Sequence, residues 1–193
     1  MTAAPRTPSV PFPPVPLDSD DPQVQAAFAN SHELFGHVSD LFARLAHAPA
    51  LLNGWIDFLR PIRRDLQVDP HLSELLTLRV AQLQGAQLMV DSHTTLAEKA
   101  GVPGETIAAV GDGWRESPVL GELERLVLEL AERLTLDSTA DDELVSALQE
   151  RIGVQATLEL VLVASYYCCT TRVANVLRPQ AFVFEPEPDE GGS

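Results

Sequence analysis

Apolar residues recur every three to four positions through most of the chain, and no window sustains the two-residue alternation of a strand. After Asp20-Asp21-Pro22, a start suited to an N-cap and first turn, the stripe Val24, Ala27, Phe28, Leu34, Phe35, Val38, Leu41, Phe42 and Leu45 predicts one helix running to His47-Ala48-Pro49. A second is predicted from Pro49 to about Arg64, with Leu52, Trp55, Ile56 and Leu59 on its buried face. Pro61 should kink or end it. Asp69-Pro70 opens a third, carrying Leu72, Leu75, Leu76, Leu78, Val80 and Leu83, and Gly85 breaks it. A fourth continues to Ala100-Gly101, where the glycine suits a C′ position. A short helix over 103–111 follows, then helices over 119–135, 141–151 and 154–177. The pattern predicts an all-α domain of seven or eight helices over 21–178.

The flanks read differently. Residues 1–20 hold six prolines, Pro5, Pro8, Pro11, Pro13, Pro14 and Pro16, and predict an extended arm. The arm should lie on its own fold or on a neighbouring subunit; its PxxP spacing also fits an SH3 ligand, a cheap match. The segment 179–193 is acidic and proline-broken, and is expected to be a disordered tail.

Charge and composition narrow the function. Twenty-eight acids against 13 bases leave a net charge of −15, which argues against nucleic acid or an anionic membrane as partner, since both require a basic footprint. The longest apolar run, 160–169, is half the length of a membrane span. No secretory h-region follows the start, and the adjacent Cys168 and Cys169 cannot staple distant segments. A cytoplasmic setting is expected. The five histidines, His32, His37, His47, His71 and His93, form no HExxH and no tight triplet, and Asp91 and His93 fall on different helix faces. No metal and no cofactor are expected.

The chemistry concentrates around Gly85. If that glycine turns the chain, the flanking helices form an antiparallel hairpin. Glu74 then lies eleven residues before the turn and His93 eight after it, at depths of roughly 16 and 12 Å, so carboxylate and imidazole can meet across the hairpin. A carboxylate beside an imidazole fixes its tautomer and raises its basicity, a common construction for a general acid/base. On the residues alone the bland alternative, a helix-end glutamate and a satisfied core histidine, weighs more.

The run from Glu74 to His93 resembles the core motif of the carboxymuconolactone decarboxylase and alkylhydroperoxidase D superfamily. Its redox members carry Glu, eleven residues, Cys, two residues, Cys, three residues, His. Those positions fall here on Glu74, Ala86, Met89 and His93. His47-Ala48-Pro49 with Leu51-Leu52, the segment Trp114-Arg115-Glu116-Ser117-Pro118, and the helix from Tyr166 to Asn175 also sit where the family places such elements. The resemblance covers about residues 40–178 and implies an alkylhydroperoxidase D-like helical domain, a small-molecule substrate and a homo-oligomer, trimer or hexamer.

Both cysteines of the redox pair are replaced, and Leu88 stands where a histidine often lies between them. Thiol peroxidase turnover needs an attacking thiolate and a resolving thiol, so that chemistry is not expected, and neighbours such as Cys168 and Cys169 point about 100° apart on a helix. The decarboxylase branch works without cysteines but keeps polar groups at both positions. The expectation is therefore a cofactor-free acid/base enzyme of lyase, isomerase or cyclase type. It would act on a small carbonyl- or carboxylate-bearing metabolite through Glu74 and His93. Ala86, Met89, Arg79, Tyr166, Cys169 and Arg172 are the expected pocket residues, with Arg79 and Arg172 as candidate carboxylate clamps. An alkylhydroperoxidase-like antioxidant enzyme and a non-catalytic ligand-binding homologue are the competing readings.

Overall fold

The structure, a computed structural model, describes residues 12–180. Pro5, Pro8 and Pro11 of the arm and all but the first two residues of the acidic tail lie outside that range. The described residues are helical, with no strand among them: α1 Pro22–Phe35, α2 Asp40–Leu45, α3 Pro49–Arg64, α4 Pro70–Leu83, α5 Gln87–Lys99, α6 Gly104–Ala109, α7 Glu122–Glu132 and α8 Asp142–Leu177. A 3₁₀ turn, Trp114–Glu116, precedes α7 and a π turn, Arg133–Asp137, follows it. Two compact units divide the described residues, one made of 12–56 and 174–180, the other of Asp57–Val173.

In the first unit Asp21 caps α1, its side chain accepting from the Gln23 N–H at 2.8 Å. The single helix expected over 22–45 is two. Gly36 adopts φ +80° and its N–H closes onto the His32 carbonyl at 2.8 Å, ending α1. Ser39 then starts α2 by accepting from the Phe42 N–H. The apolar spacing continues in phase across this break, so periodicity alone could not register it. Phe35 and Phe42 pack against each other at 5.7 Å across it. The arm is held on α2: the Val15 N–H donates to the Ala43 carbonyl at 2.9 Å, Arg44 donates to the Phe12 carbonyl at 2.7 Å, and His47 Nε2 meets the Pro13 carbonyl at 2.8 Å.

Helix α3 continues through Pro61 to Arg64. In the second unit Asp69 caps α4 through the His71 N–H at 2.9 Å, and Gly85, at φ +64°, reverses the chain into α5. A core of Leu75, Leu78, Ala97, Val102, Val110, Trp114, Leu120 and Leu128 joins α4, α5, the 3₁₀ turn and α7. Helix α8 is broken at Gly153, whose φ +83° and ψ 166° suit glycine alone; the two helices predicted on either side are both present. One window of α8 has a mean hydropathy of 1.4, long and apolar enough by composition to cross a membrane, although no uninterrupted apolar run does so. Within that helix Leu160, Val163, Ala164 and Tyr167 are buried core residues.

Candidate functional site

Glu74 projects from the second turn of α4 and His93 from the middle of α5, brought face to face by the Gly85 reversal. His93 Nδ1 lies 2.6 Å from Glu74 Oε2. An ionised carboxylate only accepts, so Nδ1 carries the proton and Nε2 is left as the basic nitrogen. His93 is fully buried, whereas the Glu74 side chain keeps 13% of its surface exposed. The pair therefore touches solvent through its carboxylate.

Two further side chains complete the cluster. Arg63, in the last turn of α3, places Nη1 3.7 Å from Glu74 Oε1. Tyr167, from α8, stands edge-on to the His93 ring with centroids 4.7 Å apart and an interplanar angle of 84°. Burial pushes the Tyr167 phenol above its ordinary range; the charge of Arg63 opposes that shift, the charge of Glu74 adds to it, and a hydrogen bond from Arg63 opposes it. The phenol stays neutral beside the imidazole. The sequence does not single out Arg63, which reads as a solvated cation at a helix C-terminus; Tyr167 is one of the last-helix polar residues, with Tyr166, that the sequence offers as donors, and it continues the buried stripe of Leu160 and Val163. Tyr166 instead packs edge-on against Phe58 at 5.6 Å and Tyr167 at 5.3 Å.

A cavity of about 330 Å³ opens beside Glu74 between the end of α3, the start of α4 and the end of α5. Ile62, Leu66, Val68 and Leu96 supply its apolar wall, and Arg63, Arg64 and Lys99 its charge.

The remaining expected residues lie elsewhere. Ala86 and Met89 are buried at the N-terminal end of α5, and Met89 is one turn from His93. Arg79 is 5% exposed and committed to a different cluster. Its Nε lies 3.1 Å from Glu132 Oε1, its Nη2 also donates to Glu132, and Nη1 donates to the Val110 carbonyl at 3.4 Å. Trp114 Nε1 donates to the same carboxylate at 2.9 Å and Arg115 Nη2 at 2.5 Å. Burial alone would raise the Glu132 pKa; the donors Trp114, Arg79 and Arg115 outweigh it and hold the carboxyl at about 2. This arrangement ties α4, the 3₁₀ turn and α7 together and leaves Arg79 poorly placed to clamp a substrate carboxylate. Cys169 and Arg172 are exposed on α8. Cys168 is buried, with Sγ 3.4 Å from Thr135 Oγ1. Among the described residues no group of three or more His, Cys, Asp or Glu is placed to hold a metal ion.

This geometry can be set beside known proteins. Residues 49–133, which include Glu74 and His93, match the sequence model of the carboxymuconolactone decarboxylase family. YnjA, an uncharacterized protein of Escherichia coli K12, is 34% identical over 109 residues, covering 55% of this chain and 56% of that protein. The match thus spans little more than half of the relative's length. Among solved structures, the debrominase Bmp8, determined with 2,3,4-tribromopyrrole, is 17% identical and superposes with a TM-score of 0.71 over 90% of this chain and 92% of its own. A peroxidase-related protein with an alkylhydroperoxidase AhpD core, from Ralstonia eutropha JMP134, is 14% identical with a TM-score of 0.69, over 88% and 93% of the two chains. At such identities the structural likeness is one of fold. The segment 49–133 is thus similar to the carboxymuconolactone decarboxylase family, and the fold of the described residues is that of the alkylhydroperoxidase D-like helical proteins.

Proposed function

We propose that the protein is a cofactor-free acid/base enzyme that moves a proton at carbon next to a carbonyl in a small organic substrate. The observation that carries this reading is the 2.6 Å contact between His93 Nδ1 and Glu74 inside the core. Glu74 holds the imidazole in one tautomer and orientation, so that Nε2 takes the proton and the resulting imidazolium is stabilised by the carboxylate across Nδ1. Arg63 offsets part of the charge on Glu74. The edge-on Tyr167 restricts rotation of the imidazole and keeps that side of the ring free of a second ionised group. Thiol peroxidase turnover would need two thiols at the positions that Ala86 and Met89 occupy; a methyl and a thioether supply neither nucleophile nor resolving group.

The test is solvent exchange. The purified chain is incubated in D₂O with a panel of small keto acids and ketones, and deuterium incorporation next to the carbonyl is followed by NMR. His93→Ala should lower the rate at least about 100-fold, as loss of a general base does. Glu74→Gln should lower it less, and the double variant no further than His93→Ala, because both residues act through one proton-transfer unit. Variants that melt early yet keep full specific activity per folded molecule would show the pair to be structural. A wild-type chain that exchanges no member of the panel while binding one of them would favour a ligand-binding homologue.

A further inference from the structure

The connection between α3 and α4, residues 65–69, forms one wall of the cavity beside Glu74. Leu66 and Val68 line it, and Pro70 follows them at the start of α4. The two ends of this loop are fixed locally: the Asp65 N–H closes onto the Pro61 carbonyl at 2.9 Å, and Asp69 caps α4. Its middle is held from a distance. The N–H groups of Gln67 and Val68 both donate to one oxygen, Glu159 Oε2 on α8, at 2.7 and 2.8 Å, across 92 and 91 residues of chain. Gln155, one turn earlier on α8, donates to Glu159 Oε1 at 3.0 Å and steadies the carboxylate. Backbone donors need an acceptor when they leave water, and hydrogen bonds to a carboxylate are the stronger kind. One side chain therefore supplies both.

This same wall borders the place where the pair meets solvent. His93 is fully buried, and the Glu74 side chain, 13% exposed, lines the cavity. The approach to the imidazole thus runs past the loop. We propose that residues 65–69 are a strap across that approach and that Glu159 is its latch. With Gln67 and Val68 bonded to Glu159, Val68 stays packed at 3% exposure and the wall is closed. Release of the two bonds lets the strap swing out and brings solvent or a small molecule to His93. Glu159 acts through the loop and not at the reacting atoms, so it is a positioning residue. Its meaning for catalysis rests on the acid/base reading of the pair; the latch itself requires no turnover.

The test follows two signals in the full-length chain: amide hydrogen exchange of Gln67 and Val68 by NMR, and deuterium uptake at His93 Cε1 by mass spectrometry. The exposed His32 serves as internal standard for the second. Glu159→Ala should speed both amides by about tenfold or more, as loss of a charge-assisted hydrogen bond does, and should raise His93 uptake relative to His32 with them. Glu159→Asp, one methylene short, should move the same signals in the same direction. Glu159→Gln keeps an acceptor oxygen and should stay near wild type. Glu132→Gln, which weakens the α4–α7 packing away from the strap, should leave His93 uptake unchanged, because local opening does not depend on global stability. Amides that accelerate without His93 would overturn the strap as the approach to the pair. His93 uptake that rises as much in Glu132→Gln would show that the imidazole is reached only by unfolding, and would overturn it too. Unchanged amides in Glu159→Ala and Glu159→Asp would overturn the latch. No substrate enters these measurements, so failure of the proton-transfer reading in the D₂O assay and failure of the latch are distinguishable outcomes.

Discussion

Glu132 offers the sharpest quantitative test of how this scaffold is held. Its carboxylate receives Trp114, Arg79 and Arg115 while lying largely out of solvent. Replacing it with glutamine keeps the shape and one acceptor oxygen but removes the charge that compensates Arg79, whose other contacts are the Val110 carbonyl at 3.4 Å and the exposed Asp112 at 3.6 Å. A pKa held at about 2 rather than the reference 4.5 corresponds to on the order of 3 kcal/mol of stability at neutral pH, the same scale as the loss expected when one partner of a buried ion pair is removed. The folded-state pKa is depressed, so the stabilisation is complete above about pH 4.5 and is lost as the pH falls towards 2. Glu132→Gln lacks this titration. The gap between wild type and variant should therefore be about 3 kcal/mol at pH 7 and should close as the acid limit is approached. Urea unfolding followed by tryptophan emission reads both, since Trp114 is itself bonded to the carboxylate. A gap below about 1 kcal/mol at pH 7, or one that does not change with pH, would refute the argument. Combining Arg79→Met with Glu132→Leu should recover most of the loss, because no buried charge is then left unpaired.

Wild-type protein should not consume alkyl hydroperoxide at the expense of a dithiol, whereas Ala86→Cys with Met89→Cys should introduce a titratable pair, since residues three apart on a helix lie about 5–6 Å apart at Cβ. Wild-type turnover abolished by mutating Cys168 or Cys169 would instead assign the redox role to those neighbours. We also propose that the chain is a homo-oligomer, a trimer or hexamer. Val154, Leu158 and Leu162 recur at four-residue spacing on α8 and remain exposed in the isolated chain, so Leu158→Glu should shift the mass measured by light scattering towards the monomer. A wild-type chain that is monomeric at micromolar concentration would refute that proposal.

Much of this protein could be read from its residues because the relevant physics is local. Asp21-Pro22 and Asp69-Pro70 each bring a side-chain cap and a preset φ, and both helices start there. Gly85, Gly101 and Gly153 mark reversals or breaks that need a positive φ, and all three adopt one. The same arithmetic of residue spacing placed Glu74 and His93 at matching depths on opposite sides of a turn. The division of 22–45 into α1 and α2 escaped this reading because Gly36 and Ser39 interrupt the backbone without interrupting the apolar phase.

What the tertiary structure decided was which side chains share a partner. Arg79 and Arg63 are both arginines on helices with acids nearby, and nothing local separates them. Packing of α4 against α7 and the 3₁₀ turn commits Arg79 to Glu132, while the end of α3 brings Arg63 to Glu74. Likewise Tyr166 and Tyr167 are adjacent in the chain, yet one packs on Phe58 and the other against His93. The cleft beside Glu74 belongs to the same class, since Arg63 and Arg64 come from α3 and Lys99 from α5, with the whole of α4 between them in the chain. Helix starts, stops and faces depend on neighbours within about four residues and are written into the chain itself. Charge pairing and cavities depend on where whole helices come to rest, and that is set by the collective packing of the core rather than by any residue in it.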